Sequence, residues 1–205
     1  MARIGDRRTP ARPSTSDQEA RRARILAAAA RLGRTRPIDR IAAQEIAAEA
    51  DVALRTLYRY YPSKYHVYAA VLSARVERVE VPSSLPADAA DSVATLMARA
   101  CQDVLRHPHL AHAMITSTQF VRAQSSAVGD HTMRDVILAT AGVSDPSADQ
   151  MRIARLVEQV TFGILTWTVG GELDADTAIV DVRLACRSLI GHGFGASPDE
   201  SPATS

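Results

Sequence analysis

Hydrogen-bond donors and cations are concentrated in one short stretch of the chain, residues 50–64. Arginine can donate two parallel hydrogen bonds to a pair of acceptors, and the hydroxyls of threonine and tyrosine can donate to phosphate oxygens. A surface that presents such groups together suits an anionic partner rich in acceptors, such as nucleic acid. The side chains in this stretch with that capacity are Arg55, Thr56, Tyr58, Arg59, Tyr60 and Lys64.

Two short helices and a turn are predicted to position these donors. Residues 41–49 have helical spacing of apolar side chains, and Asp39 is a plausible cap for this helix. Residues 50–52 form the turn, and residues 53–60 form the second helix. Pro62 ends that helix because proline cannot continue the hydrogen-bond ladder. The pattern is that of a helix-turn-helix.

The second helix turns few apolar side chains inward. Val52 and Leu57 are its predicted buried residues, so most of the helix faces an external partner. An α-helix fits the major groove of DNA, where an arginine near the helix N-terminus can bond guanine O6 and N7. Arg55 is therefore the predicted base reader. Phosphate contacts are predicted for Thr56, Tyr58, Tyr60 and Lys64, and either role suits Arg59. The alternative is that the tyrosines are packing residues and the arginines a solvated face.

The distribution of charge favours a nucleic-acid partner for the N-terminal part. Residues 1–64 carry 14 Lys and Arg against 7 Asp and Glu, whereas the remainder is acidic and the whole chain has a net charge of +1. A basic end on an acidic body is typical of a protein that meets nucleic acid at one end. Residues 1–15 are predicted to be a disordered basic arm, which either lies along DNA or is a solvated tail.

Helical periodicity continues along the rest of the chain, and no stretch has the alternation typical of strands. The predicted fold is all-α with about nine helices. Ser16 and Glu19 form a capping box for a first helix that stops at Gly33, and Ser63 caps a long fourth helix. The later helices are predicted over residues 88–106, 110–119, 120–141 with an interruption near 129–130, 144–169 and 174–190. The predicted domains are residues 1–15 (arm), 16–62 (helix-turn-helix), 63–192 (effector binding and dimerisation) and 193–205 (disordered tail).

Apolar side chains in the C-terminal part suggest a cavity and a subunit interface. Methionine adapts to varied ligands, and aromatic rings provide large apolar faces. The pocket candidates are Met97, Cys101, Met114, Phe120, Phe162 and Trp167. For each of them plain core packing is the competing interpretation. The helix over 144–169 is apolar on nearly every side, so pairing with a second copy of the chain would cover it.

Other classes of chemistry lack a recognisable pattern. Cys101 and Cys186 form no CxxC motif. His109 and His112 are three residues apart, but no acidic residue follows nearby that could complete a zinc site. We found no phosphate loop, no nucleophile motif and no apolar run of about 18 residues. We therefore expect no cofactor, no metal and no enzyme activity, no membrane partner, and a cytoplasmic location.

The stretch that contains residues 46–64 resembles the helix-turn-helix of TetR-family repressors. The shared motif is Thr56-Leu57-Tyr58 followed by Tyr61, Ser63 and Lys64. The resemblance covers residues 16–80 and implies a homodimer, a three-helix DNA-binding head and a helical effector domain. It also implies that a set of matching positions faces double-stranded operator DNA, namely Gln44, Arg55, Thr56, Tyr58, Arg59, Tyr60 and Lys64.

Three positions depart from the family pattern. Asp51 stands where glycine is usual, Ile41 where a capping threonine is common, and Arg55 where glycine is frequent. The first two affect helix positioning, and the third suggests an operator preference of its own. Residues 105–108 and 189–191 also resemble a branch of the family that represses sterol breakdown in actinobacteria. That resemblance implies a hydrophobic small-molecule effector, such as a lipid or steroid coenzyme A thioester.

A second class of function fits the same residues. A helical protein that binds or carries lipid thioesters could use a basic head to meet a membrane or an acidic partner. Such a protein would bind anionic vesicles and would show no sequence preference on DNA.

Overall fold

The computed structural model describes residues 16–81, 88–124 and 132–194 of the chain. These residues form nine α-helices and one 3-10 turn and contain no strand, which confirms the all-α prediction. The elements are α1 (Ser16–Thr35), a 3-10 turn (Ile38–Arg40), α2 (Ala43–Glu49), α3 (Leu54–Tyr60), α4 (Lys64–Val76), α5 (Ala89–Leu105), α6 (Pro108–Gln124), α7 (Thr132–Thr140), α8 (Ala148–Val169) and α9 (Ala175–Phe194). Among these described helices, none combines the length and apolar character needed to cross a bilayer.

Two helix starts differ from prediction for local reasons. The sequence predicts that the helix after residue 106 starts at Leu110, but Pro108 is already the first residue of α6. Proline fits the first turn of a helix because the N–H that it lacks would have no intrahelical partner there. The start of α8 lies at Ala148, not at 144. Its cap is Ser147, whose hydroxyl accepts a hydrogen bond from the Gln150 amide at 3.2 Å.

The predicted cap of α2 is wrong. Asp39 lies in the 3-10 turn, and the residue at the N-cap position of α2 is Ala42, which offers no side-chain acceptor. Glu45 bonds the start of this helix from within, since its carboxylate accepts a hydrogen bond from the Ala42 amide at 2.8 Å. This bond, followed by that from Arg36, lowers the pKa of the Glu45 carboxyl.

Gly33 does not end α1, which continues to Thr35. The glycine is buried inside the helix because two other helices approach it closely. A Cβ atom at position 33 would lie 2.9 Å from Leu110 Cδ1 and 2.9 Å from Tyr68 Cε1. Gly33 therefore permits contact between α1, α4 and α6, and its role is packing and not termination.

The chain divides into two compact units. The first combines Met1–Arg78 with Val104–Asp130, so α6 belongs with α1 to α4. Its hydrophobic core contains Ile25, Ile46, Leu57, Tyr68 and Met114. In this unit α6 packs against α1 and α4, while α2 packs against α1 and α3.

The second unit combines Val79–Asp103 with His131–Ser205 and contains most of α5 together with α7, α8 and α9. Here α8 packs against α9 and α7 packs against α8. Arg134 and Glu158 form a half-buried ion pair at 2.6 Å between α7 and α8. Arg187 of α9 donates to the Asp91 carboxylate of α5 at 2.6 Å.

Some predictions concern residues that the structure does not describe. These are the basic arm over residues 1–15, the interruption near 129–130, and the part of the predicted tail (193–205) that lies beyond residue 194. They remain expectations from the sequence.

Candidate nucleic-acid interface

The turn between α2 and α3 closes by a Schellman motif. The Val52 amide donates to the Ala47 carbonyl at 3.0 Å, and the Asp51 amide donates to the Ala48 carbonyl at 3.1 Å. This pattern requires a left-handed residue directly after the helix, a place that usually holds glycine. Asp51 takes that conformation with φ of 53° and is the one non-glycine residue with positive φ among the described residues. The backbone thus keeps a glycine-type turn without the glycine.

Substitutions at Asp51 should separate according to backbone freedom. We expect Asp51→Gly to unfold with a free energy roughly 1 kcal/mol higher than Asp51→Ala, because a Cβ atom disfavours the left-handed region. Denaturant unfolding of the two variants measures the difference. Equal stabilities would contradict the strained turn.

Arginines on α1 stabilise α2 from its C-terminal side. Arg24 Nε donates to the Ala50 carbonyl at 3.3 Å, and Arg31 Nε donates to the Glu49 carboxylate at 2.8 Å. Both contacts place positive charge at a helix C-terminus, where the helix dipole favours it. Much of the basic charge of α1 therefore supports the position of the helix-turn-helix.

The residues that remain on the outer face include most of the predicted DNA-facing set. Gln44, Arg55, Tyr58 and Arg59 are exposed, and Thr56 is half-buried. Arg55 forms no ion pair or hydrogen bond within the described residues. The Arg59 guanidinium lies over the ring of Tyr60, 5.4 Å from its centroid.

Two predicted phosphate contacts have different surroundings. Tyr60 is only 4% exposed and packs in the core of the first unit, so its side chain does not lie on the outer face as predicted. The Lys64 ammonium donates to the backbone carbonyls of Ile38 at 2.8 Å and Ile41 at 3.0 Å. Of the two predicted buried residues, Leu57 is fully buried and Val52 is half-buried.

One contact between α1 and the end of α3 was not predicted from the sequence. Arg22 Nε donates to the Tyr61 hydroxyl at 3.3 Å, although 39 residues separate the two in the chain. Tyr61 follows α3 directly and is itself buried. No local pattern reports such a pair, because only the packing of α1 against the helix-turn-helix brings it together.

The six predicted pocket residues do not share one unit. Met114 is fully buried in the core of the first unit, and Phe120 is exposed and stacks on Tyr65 with ring centroids 4.6 Å apart. The other four lie in the second unit, where Met97 and Cys101 are buried, Phe162 is half-buried and Trp167 is 58% exposed. Burial, with a smaller contribution from Cys186, raises the pKa of the Cys101 thiol to about 12. Cys101 thus presents a neutral, apolar group.

Comparisons with known proteins agree with this geometry. Residues 25–71 match the family described as "Bacterial regulatory proteins, tetR family", and residues 87–189 match "Tetracyclin repressor-like, C-terminal domain". The HTH-type transcriptional repressor KstR of Rhodococcus jostii is 29% identical over 188 residues, which are 88% of this chain and 87% of that protein.

Two solved structures extend the comparison. A TetR transcriptional regulator from Rhodococcus sp. RHA1 has a TM-score of 0.77 and 33% identity, over 86% of this chain and 98% of that one. The Thermus thermophilus repressor FadR, solved with lauroyl-CoA, has a TM-score of 0.59 and 22% identity, over 90% of this chain and 99% of that one. The second likeness concerns the fold alone. The C-terminal match covers half of the chain and the helix-turn-helix match precedes it, so the chain belongs to the TetR family of bacterial transcriptional regulators.

Proposed function

We propose that this protein is a transcriptional repressor that binds a palindromic operator as a homodimer and is released by a hydrophobic effector. The observation that supports this most strongly is the outer face of α3. Arg55 and Arg59 are exposed there, whereas Arg24 and Arg31 of α1 are bonded to the end of α2. A helix that presents exposed hydrogen-bond donors suits the major groove.

Each exposed residue has a role under this proposal. Arg55, one residue after the start of α3, donates to guanine O6 and N7. Thr56 and Tyr58 donate to phosphate oxygens and so fix the register of the helix on the duplex. Gln44 of α2 and Arg59 contact the DNA backbone beside the groove. Tyr60 receives no DNA contact, because its side chain is buried.

The exposed apolar side chains of α8 and α9 support pairing of two subunits. Met151, Val160 and Trp167 on α8 are exposed, as are Val180 and Leu184 on α9. Val180 and Leu184 are 63% and 62% exposed, which is unusual for aliphatic side chains on packed helices. Two copies of this surface would form a self-complementary four-helix interface. Under this proposal Trp167 belongs to the subunit interface and not to a pocket.

The effector is proposed to be a lipid or steroid coenzyme A thioester that binds in the second unit. Met97, Cys101 and Phe162 supply apolar side chains there. The structural neighbour FadR was solved with lauroyl-CoA, and acyl thioesters are therefore the first compounds to test. Binding would shift α4 and move the two recognition helices away from the half-site spacing of about 34–36 Å that one duplex turn requires.

The experiment begins with selection of binding sites from random duplexes by the full chain. We expect a two-fold symmetric consensus, and release of the selected duplex when acyl- or steroid-coenzyme A thioesters are added. Free coenzyme A and the free acids serve as controls for the thioester. If no sequence is enriched and the protein instead binds anionic vesicles, the lipid-carrier alternative is correct and the repressor proposal fails.

A further inference from the structure

Arg40 is an exposed cation at the entrance to the helix-turn-helix. It is the last residue of the 3-10 turn Ile38–Arg40 and lies two residues before Ala42, the N-cap residue of α2. Its side chain has no hydrogen bond or ion pair within the described residues. The N–H groups of its guanidinium are therefore available to an external acceptor.

The backbone around Arg40 is held by several contacts. The Arg40 amide donates to the Pro37 carbonyl at 3.0 Å, and the side chains of Ile38 and Ile41 are buried. The Lys64 ammonium donates to the carbonyls of the same two isoleucines, at 2.8 Å and 3.0 Å. Charge-assisted bonds of this kind are among the stronger hydrogen bonds in proteins. The turn thus fixes the base of the Arg40 side chain, which reduces the ordering cost when that side chain binds a partner.

The neighbouring cations at this end of α2 have internal partners. Arg36 donates to the Glu45 carboxylate at 2.8 Å, and the Lys64 ammonium is bonded to the two backbone carbonyls. A phosphate that approached either cation would compete with those bonds. Arg40 has no such bond to lose in the part of the chain that the structure describes. It is therefore the cation at this end of α2 that suits an external anion.

A carboxylate lies next to Arg40 in the chain and would repel a phosphate at short range. Asp39 is exposed and belongs to the same 3-10 turn. Successive residues of such a turn project about 120° apart around its axis, so the two side chains leave the turn in different directions. A duplex on the Arg40 side of the turn therefore does not face the Asp39 carboxylate directly.

Arg40 also lies close in the chain to the part of α2 that is proposed to face DNA. In a helix-turn-helix the first helix crosses the DNA backbone while the second lies in the groove. Gln44, which is proposed to contact that backbone, is exposed in the first turn of α2 and lies four residues after Arg40. The opposite end of α2 is followed or formed by exposed acidic residues, Asp51 and Glu49, which do not suit a phosphate.

We propose that Arg40 contacts a phosphate of the operator backbone, and that the Lys64 ammonium positions the turn that carries Arg40. This inference rests on the proposed repressor function. It assigns the cationic contact at the start of the helix-turn-helix to Arg40 and not to Lys64. Such a contact fixes the register of α2 on the duplex and carries no base preference of its own.

Operator affinity of the full chain, measured against salt concentration, tests this contact. Arg40→Met should weaken operator binding about tenfold. It should also lower the size of the slope of log affinity against log salt by about one, because one phosphate contact is lost. The loss should be the same for operators that differ at the guanine assigned to Arg55, since a phosphate contact carries no sequence information. Arg40→Lys retains the charge and should retain the slope.

Two variants control for a change of charge alone. Arg99→Met removes an exposed arginine of α5 in the second unit, and it should leave the salt slope unchanged. Asp39→Asn removes the neighbouring carboxylate and should change operator affinity much less than Arg40→Met does. Circular dichroism at the assay temperature establishes that each variant is folded. An equal decrease of the slope in Arg99→Met would show a long-range effect of charge and would overturn the inference.

A double variant separates the roles of Arg40 and Lys64. Lys64→Met alone should weaken operator binding, because the turn loses two hydrogen bonds. Added to Arg40→Met, it should not lower the salt slope further, because Lys64 contacts no phosphate. A further decrease in the double variant, or an unchanged slope in Arg40→Met, would overturn the inference while operator binding by the parent chain still supported the proposed function. Absence of operator binding by the parent chain would instead contradict the proposed function itself.

Discussion

Replacing Arg55 by alanine is expected to remove the preference for guanine at one position of each operator half-site. The guanidinium is exposed and has no partner within the described residues, so it can meet O6 and N7 of guanine without breaking an internal contact. A bidentate pair of this kind contributes about 1–3 kcal/mol of discrimination against the wrong base. The preference should therefore fall roughly 5- to 150-fold, measured with operators that carry each of the four bases at that position.

Arg59→Ala provides the comparison for this prediction. Arg59 lies on the same helix and is exposed in the same way, but it is proposed to contact the DNA backbone. Its loss should weaken binding to all four operators by a similar factor, because phosphate contacts carry no direct sequence information. If Arg55→Ala retained the parent preference, or if both variants lost it equally, the groove assignment of α3 would be wrong.

Adding one methyl group at Gly33 is expected to destabilise the first unit. In an open helical position, glycine to alanine stabilises by about 1 kcal/mol. At Gly33 the new Cβ would lie 2.9 Å from side-chain atoms of both Leu110 and Tyr68, which are completely buried and have little room to move. Overpacking of this kind costs about 1–3 kcal/mol, so the sign of the usual effect should reverse.

Two further variants separate the effect of helix propensity at Gly33 from the effect of overpacking. Ala27 is exposed on the same helix, so Ala27→Gly measures helix propensity alone and should destabilise by about 1 kcal/mol. Combining Gly33→Ala with Leu110→Ala removes one of the two clashing groups, and the double variant should be more stable than the sum of the single effects predicts. Denaturant unfolding measures all of these. A gain in stability for Gly33→Ala would contradict the close approach of the three helices.

The helix-turn-helix could be predicted from local sequence because each of its boundaries has a local cause. Pro62 follows α3 and ends it. Leu57 is buried, and Arg55, Tyr58 and Arg59 lie at exposed positions around it. The position of the turn was predictable, although the residue with the left-handed conformation is Asp51 and not glycine. These signals depend on neighbours within a few residues, which the sequence reports directly.

Other features depend on contacts between residues far apart in the chain. The sequence predicts that Gly33 ends α1, because a glycine after the last apolar residue of a period often follows a helix. Only the close contacts with Tyr68 and Leu110 explain why Gly33 lies inside α1. Lys64 reads as a phosphate contact, but its two carbonyl partners lie 26 and 23 residues earlier. Neither partner has a side chain pattern that would have revealed the bond.

The pocket candidates show a similar limit. Met114 and Phe120 have the apolar character of cavity residues, yet Met114 fills the core of the first unit and Phe120 stacks on Tyr65. Trp167 has the same character and is exposed. Apolar spacing along a helix identifies the side that meets other groups, but not whether those groups are core, ligand or a second subunit.

The central claim is that α3 binds in the major groove, and methylation interference on the selected operator tests it most directly. Methylation of guanine N7 blocks the major-groove edge, whereas methylation of adenine N3 blocks the minor-groove edge. We predict that N7 methylation at one guanine per half-site prevents binding of the parent chain. We also predict that methylation of this guanine does not change binding by the Arg55→Ala variant. Interference confined to adenine N3, or an N7 effect unchanged in Arg55→Ala, would contradict the assignment.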